Sequence, residues 1–145
     1  MKTIRTLLTI AVLLGAVSAY VHAETQPLMT ASIPFSFTIG DQSFPAGDYT
    51  ISTVQVQARD VILLRSSDGQ RASFAPTHPS YLIGPSAQTK LIFQHYGSTY
   101  FLSQIWTQGL SYGRELVLPD HAKELAHNGS TRDVTTIVAS ARFSH

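Results

Sequence analysis

Residues 33–51, IPFSFTIGDQSFPAGDYTI, decide the fold class. Ile33, Phe35, Phe37 and Ile39 occupy every second position, with Pro34, Ser36 and Thr38 between them. A period of two puts large apolar side chains on one face of a strand and small or polar ones on the other. The spacing therefore predicts a half-buried strand from Ala31 to Ile39. Gly40-Asp41 ends the run, and Pro45-Ala46-Gly47-Asp48 supplies a turn before Tyr49 and Ile51 resume the alternation. That second strand, Asp48 to Val56, slips phase: Ile51 and Val54 are three positions apart, whereas Tyr49/Ile51 and Val54/Val56 are two. One inserted residue produces such a slip, so a β-bulge is expected after Ile51, bending the sheet.

On the N-terminal side, Glu24 to Thr30 reads as a polar leader, and residues 1–23 as a signal peptide. Lys2 and Arg5 form its positive start, and Leu7 to Ala19 is an uncharged apolar run. That run is shorter than the roughly 20 residues of a membrane span, which favours a cleaved signal over an uncleaved anchor. Val21-His22-Ala23 fits the cleavage pattern, with Val17-Ser18-Ala19 as a competing site. Export to the periplasm or the exterior follows, with residues 24–145 as a single β-domain and no membrane span after cleavage. The chain has no Cys, so a lipidated cysteine is excluded, as are disulfides, thiol nucleophiles and Cys-based zinc sites. Stability must come from an apolar core. Loss of Lys2 and Arg5 leaves eight Lys plus Arg against nine Asp plus Glu. Such a near-neutral domain has no electrostatic footprint for nucleic acid.

On the C-terminal side the pattern repeats. Val61 to Leu64 is continuously apolar, as in a strand covered on both faces. Asp68-Gly69 between strand-like runs predicts a hairpin with a type I′ turn. Pro76 to Pro85, with three prolines, reads as a loop in which Tyr81-Leu82-Ile83 reach the core. Lys90 to His95 and Tyr100 to Thr107 form an aromatic-rich pair joined across Tyr96 to Thr99. Gln108-Gly109 and Ser111-Tyr112-Gly113 read as a turn-rich break, and Arg114-Glu115 as a surface ion pair. Residues 119–128 predict one short helix: Pro119 and Asp120 suit its start, Asn128-Gly129 its stop, and Leu118, Ala122, Leu125 and Ala126 share a face. Asp133 to Phe143 closes the chain as a Val/Thr/Ile-rich strand, expected beside the first. About seven or eight strands and one helix point to an all-β fold, an antiparallel sandwich or a small barrel.

The ordered set IPFSFTIG, FPAGDYTI, VILLRSSDG, LIFQHYGSTYFLSQIW and GREL resembles a group of small exported proteins common in Acidobacteria. That group carries a PF-x-F, PAG-x-Y and F-L-x-x-I/V-W succession after a signal peptide. The resemblance covers most of the chain after residue 23 and implies export and a single β-domain. It supplies no catalytic, cofactor or metal residues.

The residues themselves carry little chemistry. Of six His, His22 lies in the signal peptide and His145 is the last residue. His121 and His127 are six apart, which puts them on different helix faces, whereas a helical zinc pair is spaced by four. His78 and His95 read as exposed, near a loop and a turn. No G-x-S-x-G elbow occurs, and Asp41, Asp48, Asp60, Asp68, Asp120 and Asp133 fall mostly in or beside turns. The sequence therefore predicts no enzyme, no cofactor and no metal site. Asn128-Gly129-Ser130 matches a glycosylation sequon and reads as the helix stop. Tyr96, Tyr100, Trp106 and Tyr112 are the candidate contacts for a protein partner or small ligand, because polar-tipped aromatics suit both. Their alternative is cross-strand packing. Two functions stand: a non-enzymatic structural or protein-interaction domain, and a domain that binds an apolar or saccharide ligand. A hydrolase is the third, requiring His95 or His121 beside both a Ser and a carboxylate.

Overall fold

The computed structural model of the chain describes residues 26–56, 59–128 and 132–141. The expected signal peptide and residues 142–143 of the expected last strand lie outside them. Eleven strands and one helix occur among the described residues. The sheet path is not closed, and the fold is an all-β sandwich. The strand count exceeds the expected seven or eight because the leader, the turn-rich break and the opening strand divide differently.

The opening strand is two strands. β1 runs Gln26–Ile33, through most of the expected polar leader, and β2 is Phe37–Ile39. Pro34 lacks the N–H that would continue the ladder, so the chain bends over residues 34–36 and crosses to the other sheet. The alternation survives the bend because the same core lies on the inner side of both strands. Met29, Ala31, Ile33, Phe37 and Ile39 are all buried, and Phe35 packs against them.

β1 pairs with β4 (Gly47–Val56), β4 with β5 (Arg59–Ser66), and β5 with the first half of β6 (Ala72–Tyr81). The second half of β6 pairs with β9 (Tyr112–Leu116), β9 with β8 (Thr99–Trp106), β8 with β7 (Lys90–Tyr96), and β7 with β10 (Arg132–Val138). β6 thus serves both layers. The first half of β8's second edge is taken by β2, in the one parallel pairing among the described residues, and the other half by β9. β2 in turn carries β3 (Gln42–Phe44). The C-terminal strand breaks at Ala139: β10 lies beside β7, and only β11 (Ser140–Ala141) reaches β1.

The bulge expected in β4 lies instead in β1, the strand that faces Ile51. β4 pairs with β5 without interruption, while the register of β1 shifts between Pro27 and Met29, opposite Ser52 and Ile51. The phase slip in β4 has a different cause. Tyr49 and Ile51 face the core, and Ser52 and Val54 are buried on the opposite face. Ile62, Leu63 and Leu64 of β5 are likewise buried on both sides.

The expected loop over 76–85 is strand as far as Tyr81. Pro76 and Pro79 are tolerated there because each half of β6 has one neighbour. Ser66 N–H donates to Arg71 C=O at 2.9 Å, and main-chain groups alternate sides along an antiparallel strand. Ala72, Phe74 and Pro76 therefore turn theirs to the edge that β5 leaves open. The same alternation turns Pro79 to the open edge of the second half, where no donor is needed. The Asp68-Gly69 hairpin exists, but its loop has five residues, Ser67 to Arg71, with Gly69 at φ 71°.

The helix, α1, runs Asp120–His127 from Pro119 to Asn128. Ala122 is fully buried against Tyr96 and Phe101, with Leu118 and Leu125 partly buried beside it, while Ala126 is exposed. This small second core lies outside the sandwich, on the outer face of β7 and β8.

Candidate functional site

The four aromatic candidates lie in four environments. Tyr96 is buried under α1. Its hydroxyl donates to Gln94 Oε1 at 2.8 Å, and Gln94 Nε2 donates to Ser103 Oγ at 2.9 Å. Ser103 is the extra residue where the β7/β8 register shifts: Ile92 pairs with Gln104 and Phe93 with Leu102. The bulge turns a serine hydroxyl toward an amide that needs an acceptor, and the whole chain is satisfied.

Tyr100 is half-buried between Phe35 and His95, with both ring pairs stacked at 4.1 Å. Trp106 is buried, and its Nε1–H donates to Gln104 Oε1 at 3.1 Å. It lies over Gly113, so Ser111-Tyr112-Gly113 is not the expected break. Gly113 serves strand pairing, where a missing side chain lets the indole approach. Tyr112 reaches solvent.

Tyr112 has a neighbour the sequence reading placed elsewhere. Tyr81 is its register partner at the end of β6. Tyr81-Leu82-Ile83 do not touch the core: Tyr81 is 75% exposed, Leu82 41%, Ile83 fully and Tyr112 50%. No Asp, Glu, Lys or Arg occurs in residues 79–89 or 107–113, which build this end. Its loops are tied together by Leu82 N–H to Ser111 C=O (2.8 Å), Ser86 N–H to Leu110 C=O (2.8 Å) and Gly109 N–H to Ser86 C=O (2.9 Å). The apolar side chains therefore stand on an ordered scaffold. A periodicity reading could not find them, because prolines masked the strand that delivers them.

At the other end of β6, three open clefts of about 360, 200 and 440 Å³ adjoin one another. The first lies between Gln42–Phe44 and Gln70–Ala72. The second, under the Pro45–Asp48 turn, shares Arg71 with the first and Asp48, Tyr49 and Ser67 with the third. Tyr49 is buried, and its hydroxyl donates to Pro45 C=O at 2.6 Å. Burial raises its pKa above the ordinary 10.0, and Asp68 adds to the rise while Arg71 opposes it. The Asp68 carboxylate is held below its ordinary 3.8, first by the Ser66 hydroxyl and then by Gln70 N–H.

The His side chains sit apart. His121 Nδ1 is 3.7 Å from Asp41 Oδ1, with its ring 5.3 Å from that of Phe101. Among the described residues no serine hydrogen-bonds to His95 or His121, and no group of three His, Asp or Glu is placed to hold a metal. Arg114 pairs with Asp60 at 3.1 Å, across the two layers, in place of the expected Glu115. Neighbouring residues of a strand point to opposite faces, which separates Arg114 from Glu115. Comparison with protein-family models, curated proteins and solved structures finds no match.

Proposed function

We propose that the chain is exported and acts as a non-enzymatic protein-interaction domain, contacting its partner through the end formed by Tyr81, Leu82, Ile83 and Tyr112. The carrying observation is the cross-strand Tyr81/Tyr112 pair with Leu82 and Ile83 beside it, exposed together on a charge-free, hydrogen-bonded scaffold. Contiguous exposed apolar surface on a folded domain marks contact sites, and interface cores are enriched in Tyr and depleted in charge. An ordered scaffold lowers the entropy lost on binding.

Strand addition at β6 or β3 is disfavoured, because Pro76 and Pro79 remove donors from the open edges of β6 and β3 offers only three residues. Export rests on the charged start and apolar run of residues 2–19.

The test is affinity capture from the exported fraction of the source cells. The bait is the domain beginning at Glu24, compared with a Tyr81→Ser/Ile83→Asp variant of equal thermal midpoint. A stoichiometric partner that the variant fails to retain is the expected result. Equal retention by both proteins would place the contact elsewhere. Mass measurement of the exported chain checks cleavage after Ala23 or Ala19.

A further inference from the structure

We infer that the clefts around Asp48, Tyr49 and Arg71 form a binding groove for a neutral oligosaccharide. The groove lies at the opposite end of β6 from the Tyr81/Tyr112 surface. At the rise of a β-strand, ten residues separate the two ends by about 30 Å. The two sites are independent.

The hydrogen-bonding capacity left open in the groove sets the ligand class. Asp48 uses its main-chain carbonyl, which accepts from Ser67 N–H and Oγ–H, and its carboxylate has no partner among the described residues. The Arg71 guanidinium likewise has no hydrogen bond or ion pair there. Thr30, Ser32 and Ser140 line the same groove, and their hydroxyls have no partner among the described residues. Asp68 is engaged by Ser66 Oγ–H and Gln70 N–H and contributes charge only.

The open groups are therefore one acceptor-only carboxylate, one donor-only guanidinium, and hydroxyls and the Gln42 and Gln70 amides, which do both. Sugar hydroxyls also do both, so a polyol can satisfy the set. Other ligand classes fit worse. One free carboxylate is too few for a hard cation that takes six or more oxygens. Two carboxylates against one guanidinium disfavour a phosphate. The rings of Tyr49 and Phe44 are buried, with 2% and 3% exposure, leaving no aromatic platform among the groove's lining residues.

The groove also sets ligand length. Shared Asp48, Tyr49, Ser67 and Arg71 join three clefts in a row, from Val138 and Ser140 to Gln42. A chain of sugar units spans that row, and a monosaccharide fills one cleft. Without an exposed aromatic platform, binding depends on hydrogen bonds and is weak per unit.

The test is an amide NMR titration of the domain with glucose and with neutral gluco- and chito-oligosaccharides of increasing length. Expected are shifts at Ser32, Asp48, Ser67 and Arg71 that strengthen with chain length. Asp48→Asn and Arg71→Gln, both at exposed positions, should each weaken binding about tenfold, as for loss of a charged hydrogen bond, with unchanged thermal midpoints. The assignment fails if no oligosaccharide shifts these amides at millimolar concentration, or if both variants bind as the parent does. It fails equally if inorganic phosphate or calcium shifts them while sugars do not.

Discussion

Gly113 lies directly beneath the Trp106 indole: a Cβ built on it would stand 2.5 Å from Trp106 Cε3 and 2.6 Å from the Ile105 carbonyl oxygen. The sequence shows a glycine at the end of a turn-rich stretch, whereas the fold uses it where two strands and a large ring meet.

Gly113→Ala should therefore destabilise the domain by about 1–3 kcal/mol, the range for forcing atoms into a packed site. Trp106→Leu in the same background should recover only part of that loss, because the Ile105 main-chain oxygen remains in the way. Urea denaturation of both variants measures it. A neutral Gly113→Ala would mean that β8 and β9 separate more easily than their register implies.

The Tyr96–Gln94–Ser103 chain predicts an asymmetry between single and paired changes. Tyr96→Phe leaves buried Gln94 Oε1 without its donor and should cost about 1–2 kcal/mol. Combining it with Gln94→Leu removes both ends of that bond, and the double variant should cost less than the sum of the two singles. Simple additivity in a double-mutant cycle would show that the bond contributes nothing beyond packing.

Stability should fall at both pH extremes, for reasons with opposite sign. Tyr49 has a folded-state pKa above its ordinary 10.0. The stability it contributes is complete below pH 10.0 and is lost as pH rises through the higher folded-state value. Tyr49→Phe should flatten that alkaline decline. Asp68 is held below its ordinary 3.8, so its contribution is present above pH 3.8 and is lost as pH falls through the lower folded-state value. Asp68→Asn should flatten the acid side slightly, since the group is exposed. Thermal midpoints across pH check both, and parallel curves for parent and variants would refute the linkage.

Pro76 and Pro79 predict what the open edges would do without them. Changing both to Thr restores two N–H donors on unpaired edges of β6 and should leave the fold intact. The variant should then self-associate with rising concentration, by edge pairing. Sedimentation velocity reads this directly. A variant that stays monomeric alongside the parent would show that something other than proline protects these edges.

Parts of the candidate sites were legible in the chain and parts were not. Tyr112 stands out as an aromatic near a break, and Asp48 as a turn residue, whereas Arg71 only opens the strand-like run after Asp68-Gly69. Tyr81 is obscured because Pro76 and Pro79 imitate a loop, and proline's compatibility with a strand depends on whether a neighbour needs its N–H. Tyr96 and Trp106 read either as binding aromatics or as cross-strand packing, and the local pattern does not separate the two. One is enclosed by an eight-residue helix distant in sequence, and the other lies over a glycine on the next strand.

The fold class was readable without the structure, because a period of two in Ile33 to Ile39 and its repetitions can bury a continuous core only as sheet. The helix at 119–128 was legible from local composition and flanking residues, and export remains a proposal that rests on residues 2–19. Tertiary structure alone decided where the opening strand divides, which strand carries the bulge opposite Ile51, and that β6 serves both layers. It alone set Tyr81 beside Tyr112, and Asp48 near Arg71. Those are pairings between segments far apart in the chain, set by register and layer. Local pattern specifies which face of a strand is buried, but not which strand comes to lie beside it.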